Sequence, residues 1–187
     1  SSDLERFITG IAGRKNFTIM TVYKHGMTLS HSLRQALEIF DRYKVPVENI
    51  TLGLDSFALV SSTAALGDAV YDIIAEIRKV CRPDDVEIRE NIAMVSSVSR
   101  KMSSKPGFSG RLFKALGDAG INIRTIAQGA DELAITVGVE NEVAEDMYQR
   151  SELDRLIYAD PVGYADLILN GDPAAYLQEV TEYRRLD

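Results

Sequence analysis

Residues 120–137 read GINIRTIAQGADELAITV. Ile121 to Ala127 reads as a strand, Gln128-Gly129-Ala130-Asp131 as a turn and Glu132 to Val139 as a second strand. Apolar and β-branched residues fill both arms, and a Gly/Asp break separates them. Just upstream, Pro106-Gly107 opens a helix whose apolar positions include Leu112, Phe113 and Leu116. Ala119-Gly120 closes it, with Gly120 where a left-handed cap is wanted. Ile92 to Val98 is a strand before that helix, and residues 140–150 read as a further helix.

The same order occurs earlier in the chain. Phe17-Thr18-Ile19-Met20-Thr21-Val22-Tyr23 is a strand, and Leu33, Ala36, Leu37 and Phe40 recur at helical spacing. Val45 to Ile50 returns to a strand with Pro46 near its start, Gly53-Leu54-Asp55 is a turn, and Phe57 to Val60 is the next strand. Leu66 to Val80 repeats Ala69, Val70, Ile73, Ile74 and Ile77 at helical spacing until Pro83 stops it. The helix–strand–turn–strand portions of the two halves overlay without gaps. Val45 falls on Ile121, an offset of 76 residues (121 − 45), which also places Phe40 on Leu116, Gly53 on Gly129 and Asp55 on Asp131. Apolar positions and turn residues coincide together, so one βαββα unit has been duplicated.

Such a unit, completed by a further strand, gives an antiparallel sheet with both helices on one face. Its other face and its edge strands need a partner. The expected fold class is therefore α+β: two ferredoxin-like units of βαββαβ type, with antiparallel sheets carrying helices on one face. The expected boundaries are a lead-in segment over 1–14, a first unit over 15–90, a second over 91–150 and a helical C-terminal tail over 151–187. Asp160-Pro161 and Asp172-Pro173 are turn or helix-start signals in that tail, which matches neither repeat and suggests no function.

With 187 residues, 45% of them hydrophobic, the chain is long enough for a real core. A formal net charge of −7 and dispersed Arg and Lys argue against a nucleic-acid surface. The one compact basic run, Ser99 to Lys105, reads as a loop. A single cysteine, Cys81, permits no internal disulfide and suits a reducing cytoplasm. The first residues, SSDLERFITG, lack the basic and apolar regions of a signal peptide. No apolar run approaches the roughly 20 residues needed to span a bilayer.

The chemistry-bearing residues are sparse. His25 and His31 are the only histidines, and neither Cys nor acid joins them at metal-ligand spacing, so no metal site is expected. Gly10-Ile11-Ala12-Gly13-Arg14-Lys15 lacks the ending of a phosphate loop, and no serine elbow is present. No catalytic residue and no cofactor are expected. The loops that enter the first helix of each unit remain: Gly26 to Ser32, and Ser104 to Gly110. A helix N-terminus exposes unpaired N–H groups that favour an anion. The start of the following strand lies beside that loop and carries Val47, Glu48 and Asn49, or Asn122 and Ile123. Such a site suits a zwitterionic amino acid, with Glu48 facing its ammonium group. Ordinary capping by Ser30 or Ser32 and a solvated Glu48 account for the same residues.

Four segments carry a resemblance: FITGIAGRKNFTIMTVYKHGM (7–27), VPVENITLGLDSFAL (45–59), IAMVSSVS (92–99) and PGFSGRLFKALGDAGINIRTIAQGADELAITVGVENE (106–142). Together they resemble the tandem ACT regulatory region of aspartate kinases, over about residues 7 to 150. The last segment resembles a pattern PG-x-x-G-x-x-F-x-AL-x-x-x-GINI-x-x-I-x-QG-x-x-E of that family. The resemblance implies allosteric feedback on aspartate phosphorylation by lysine, threonine or both. It implies an effector pocket between ACT units, at the β1–α1 loop and the start of β2. By position the effector-binding candidates are Met27, Ser30, Ser32, Val47 and Glu48 in the first unit, and Pro106, Gly107, Asn122 and Ile123 in the second. The KHGM phrase at 24–27 resembles lysine-responsive versions, which makes lysine the first expectation.

The resemblance further implies a homodimer through the ACT units and a partnership with an aspartate kinase catalytic domain. No family-like kinase start is present, so the chain by itself is expected not to be an enzyme. It is expected to be a regulatory fragment or subunit working in the cytoplasm, without nucleic-acid or membrane partners. The competing expectation is a degenerate tandem ACT chain that serves only dimerisation and assembly. Ser30-His31 stands where the second unit has Pro106-Gly107, and Ser99 to Met102 replaces a glycine-containing family phrase. Both departures bear on the pocket loops.

Overall fold

The computed structural model describes residues 10–26, 28–98, 107–129, 134–144 and 159–176. Met27, the 99–105 basic run, Pro106, the turn residues 130–131 and the tail after 176 lie outside them. The chain divides into two compact units. The first comprises Lys15–Ile92 with Thr125–Ala127, and the second comprises Ser1–Arg14, Ala93–Arg124 and Gln128–Asp187.

The first unit runs β1 (Gly10–Tyr23), α1 (Leu29–Arg42), β2 (Asn49–Leu52), β3 (Ser56–Ser62), the short α2 (Thr63–Leu66), α3 (Ala69–Cys81) and β4 (Asp85–Val98). Its strands lie in the order β2-β3-β1-β4. β1 pairs antiparallel with β3 from Phe17↔Ser62 to Tyr23↔Ser56, and β2 pairs antiparallel with β3 from Asn49↔Val60 to Leu52↔Phe57. This is the α+β arrangement of a βαββαβ unit. α1 buries Ser32, Ala36, Ile39 and Phe40, and α3 buries Ile73, Ile77 and Cys81, each a stripe at helical spacing. Both stripes pack on Met20, Val22, Phe57 and Leu59 from the sheet. Burying side chains such as Phe40 and Phe57 contributes about 1.5–3 kcal/mol each.

The helix expected over Leu66 to Val80 is broken. Gly67 takes φ +46° and ends α2, and α3 starts at Ala69. The strand expected over Val45 to Ile50 starts later, at Asn49. The Val45 N–H instead closes α1 by bonding the Phe40 carbonyl at 3.0 Å, and Pro46 has no N–H to give.

The second unit uses the first and last portions of the two long strands: Gly10–Arg14 of β1 and Ala93–Val98 of β4. α4 (Phe108–Asp118) and β6 (Ala134–Glu140) follow, with β6 beside β4; of β5 (Thr125–Gln128), residues Thr125–Ala127 group with the first unit. Residues 141–144 are helical, and the rest of the helix expected over 140–150 lies outside the described residues. Leu112 and Leu116 pack on Ala93, Val95, Ile135, Val137, Val139 and Ala144. The segment expected as a lead-in is thus a strand from Gly10 onward, and it groups with the second unit. In the tail, α5 (Pro161–Asn170) starts with Asp160 Oδ1 accepting the Gly163 N–H at 2.9 Å, and it buries none of its residues.

The structure repeats the duplication at one cap. Lys44 (φ +56°) and Gly120 (φ +71°) are the left-handed residues that end α1 and α4. The next residues, Val45 and Ile121, donate back to Phe40 and Leu116, each at 3.0 Å. All three pairs stand 76 residues apart (120 − 44, 121 − 45, 116 − 40), matching the sequence overlay.

Candidate functional site

α1 begins after Thr28, whose carbonyl accepts the N–H groups of His31 and Ser32 at 3.1 Å; the Thr28 side chain makes no capping bond. One side of α1 and the 45–47 segment line an open, shallow groove of about 590 Å³. Leu33, Leu37, Phe40, Val45, Pro46 and Val47 supply its apolar lining. Ser30, Arg34, Glu38 and Asp41 supply its polar groups, spaced so that they share one side of the helix. Arg34 Nη1 bridges to Glu38 Oε1 at 2.6 Å. The floor is firm, because Phe40 and Val45 belong to the buried core.

The groove brings Ser30 and Val47 together. Ser32 is buried at 5% exposure and its carbonyl accepts the Cys81 Sγ–H at 3.7 Å, so it faces the core. Glu48 is exposed, and its N–H donates to the Val60 carbonyl at 2.8 Å; it does not line the groove. Met27 and Pro106 lie outside the described residues. In the second unit Gly107 is the exposed N-cap of α4 at φ +86°, Asn122 is exposed, and Ile123 packs on the core. The sequence reading missed Leu33, Arg34, Leu37, Glu38 and Asp41. The signal was present as a second helical stripe, offset from the core stripe, but charged residues there look like any solvated helix face.

Cys81 is buried, and burial pushes its thiol pKa up, away from the reactive thiolate form. Glu87 accepts from Arg89 at 2.9 Å and from the Tyr23 hydroxyl at 3.1 Å; the bond from Arg89 leads in holding its carboxyl below the usual range. Among the described residues no group of three or more His, Cys, Asp or Glu is placed to hold a metal ion, and no helix is long and apolar enough to cross a membrane.

An ACT domain family model matches residues 95–149, and a family of unknown function matches residues 130–187. The chain spans about a quarter to a third of the length of the curated aspartokinases it matches. Against the crystal structure of Clostridium acetobutylicum aspartate kinase it is 39% identical, with a TM-score of 0.67 over 72% of this chain and 31% of that one. Against Escherichia coli aspartokinase III in complex with lysine and aspartate it is 26% identical, with a TM-score of 0.60 over 78% and 32%. The regulatory subunit of aspartate kinase from Thermus thermophilus shares the fold, at 20% identity and a TM-score of 0.63 over 75% of this chain and 93% of that one. With an ACT domain at 95–149 and this fold over most of its length, the chain is a relative of the C-terminal ACT regulatory region of aspartokinases.

Proposed function

We propose that the chain is an effector-binding regulatory module whose first unit takes a free amino acid in the α1 groove. One observation carries this: an apolar trough, floored by Phe40 and Val45, has Arg34, Glu38 and Asp41 along one side and the first turn of α1 at its end. A carboxylate is served by the α1 N-terminus and Ser30, a methylene stem by Leu33, Leu37 and Val47, and an ammonium by Glu38 and Asp41. That chemistry favours lysine over threonine, as does the relation to an aspartokinase solved with lysine. Met27 and Glu48 remain effector candidates by their position in the sequence. Pro106, Gly107, Asn122 and Ile123 are the corresponding effector positions of the second unit. The partner that reads the signal is an aspartate kinase catalytic domain, in the cytoplasm.

A second reading is favoured by a different observation. β2 ends the strand order of its unit and carries exposed Ile50 (41%) and Leu52 (62%), with Leu54 (96%) in the turn that follows. An apolar strand at such a position suits pairing with a second copy. Dimerisation and effector binding are compatible, and dimerisation without a ligand is the assembly-only alternative.

Calorimetric titration with L-lysine and L-threonine, and L-leucine as control, separates them. Saturable binding of lysine that weakens about tenfold in Glu38→Gln/Asp41→Asn supports the effector site. Asn122→Ala should weaken any effector bound at the second unit. No heat from either amino acid leaves assembly as the function.

A further inference from the structure

The loop from β1 into α1 is held by two carboxylates from other elements. Asp84, between α3 and β4, accepts the His25 backbone N–H on Oδ2 at 2.7 Å. Asp55, in the β2–β3 turn, accepts the Gly26 N–H on Oδ1 at 3.3 Å, and its Oδ2 lies 3.3 Å from His25 Nδ1. The backbone repeats both attachments. The Lys24 N–H donates to the Asp55 carbonyl at 2.9 Å, and the Asp84 N–H donates to the Tyr23 carbonyl at 2.7 Å. Lys24 Nζ also donates to the Cys81 carbonyl at 2.9 Å, tying the loop to the end of α3.

These bonds are poor candidates for holding the fold. The His25 side chain is 92% exposed and that of Asp55 is 53% exposed, and hydrogen bonds so open to water contribute little to stability. They are well suited to fixing a path. Successive N–H groups are aimed at carboxylate oxygens, bonds that are directional and charge-assisted. The path matters because Gly26 turns the chain at φ +66° and α1 starts three residues later, with Ser30 in its first turn. A loop already in place spares a ligand the entropy of ordering it.

The geometry points to Asp55 and Asp84 as positioning residues, which set the β1–α1 loop so that Ser30 and the start of α1 meet the effector in a preformed arrangement. The inference rests on the effector reading above. Asp55 and Asp84 touch no ligand; they act through the backbone of His25 and Gly26.

The test compares wild type with Asp55→Ala, Asp84→Ala and Asp84→Asn in the full chain. Calorimetry with L-lysine and L-threonine gives affinity, and amide hydrogen exchange gives the protection of His25 and Gly26. Each alanine variant should bind about tenfold more weakly, with a melting temperature close to wild type and faster exchange at the two amides. Asp84→Asn keeps an acceptor oxygen and should return affinity to within about twofold of wild type. Unchanged affinity in both alanine variants, or unchanged exchange, overturns the proposal. If the wild-type chain binds neither amino acid, the effector reading fails and the positioning role with it, while the exchange rates still decide whether the carboxylates hold the loop.

Discussion

Asn49 and Thr125 hold the same place in the two repeats, 76 residues apart (125 − 49), each as the first residue of its strand. Each has a buried side-chain oxygen without a hydrogen-bond partner, Oδ1 of Asn49 and Oγ1 of Thr125. An unpaired buried hydroxyl is a cost that an isosteric methyl removes. Thr125→Val should therefore raise stability by about 1 kcal/mol in urea unfolding; a loss of stability would mean the hydroxyl is paired in solution. Tyr43 is the opposite case. Its hydroxyl donates to Glu76 Oε1 at 3.0 Å, and that bond leads, with burial second, in raising its pKa above the usual tyrosine value. A raised folded pKa means the contribution is complete below about pH 10 and is lost as pH climbs through the raised value. Tyr43→Phe should lower the melting temperature at pH 8, and the gap from wild type should close at higher pH. A gap that stays constant with pH would contradict the bond.

At the scale of elements, the two helix ends differ in how well their residues suit the same cap. Gly120 takes the left-handed conformation freely, whereas Lys44 takes φ +56° with a side chain attached. Lys44→Gly should stabilise the first unit by about 0.5–1 kcal/mol, read as a higher midpoint in denaturant. This cap also shows what the sequence made legible. The 76-residue overlay, the apolar stripes of α1 and α4 and the Gly120 terminus were all readable, because each is a local pattern of residue types. The starts of β2 and β5 were not. Residues 45–48 and 121–124 look strand-like, yet Val45 and Ile121 spend their N–H groups closing helices. The groove residues were half readable. Ser30 and Val47 stood out by position, while Arg34, Glu38 and Asp41 had the look of an ordinary solvated face.

At the scale of the whole molecule, connectivity is the feature no pattern disclosed. β1 and β4 are each 14 residues long, and the division between the units falls within both. Period-two alternation does not survive along them. Asn16 and Asn91 take φ +66° and +59° inside these strands, and asparagine tolerates that region better than most residues. A short apolar window such as Phe17 to Tyr23 therefore gave only part of the strand. Because Gly10–Arg14 groups with the second unit, deleting residues 1–14 should loosen that unit while sparing the first. Amide exchange should quicken across 93–98 and stay slow in α1 and α3; equal loosening of both units would contradict the division.

The α1 groove of the first unit is the proposed seat of a free amino acid, lysine before threonine. Its most direct test is a residue-resolved amide NMR titration of the full chain with L-lysine. Saturable shifts concentrated at Ser30, Leu33, Arg34, Val45 and Val47, the groove residues, are expected. Shifts confined to other surfaces, or none at saturating lysine and threonine, would contradict it.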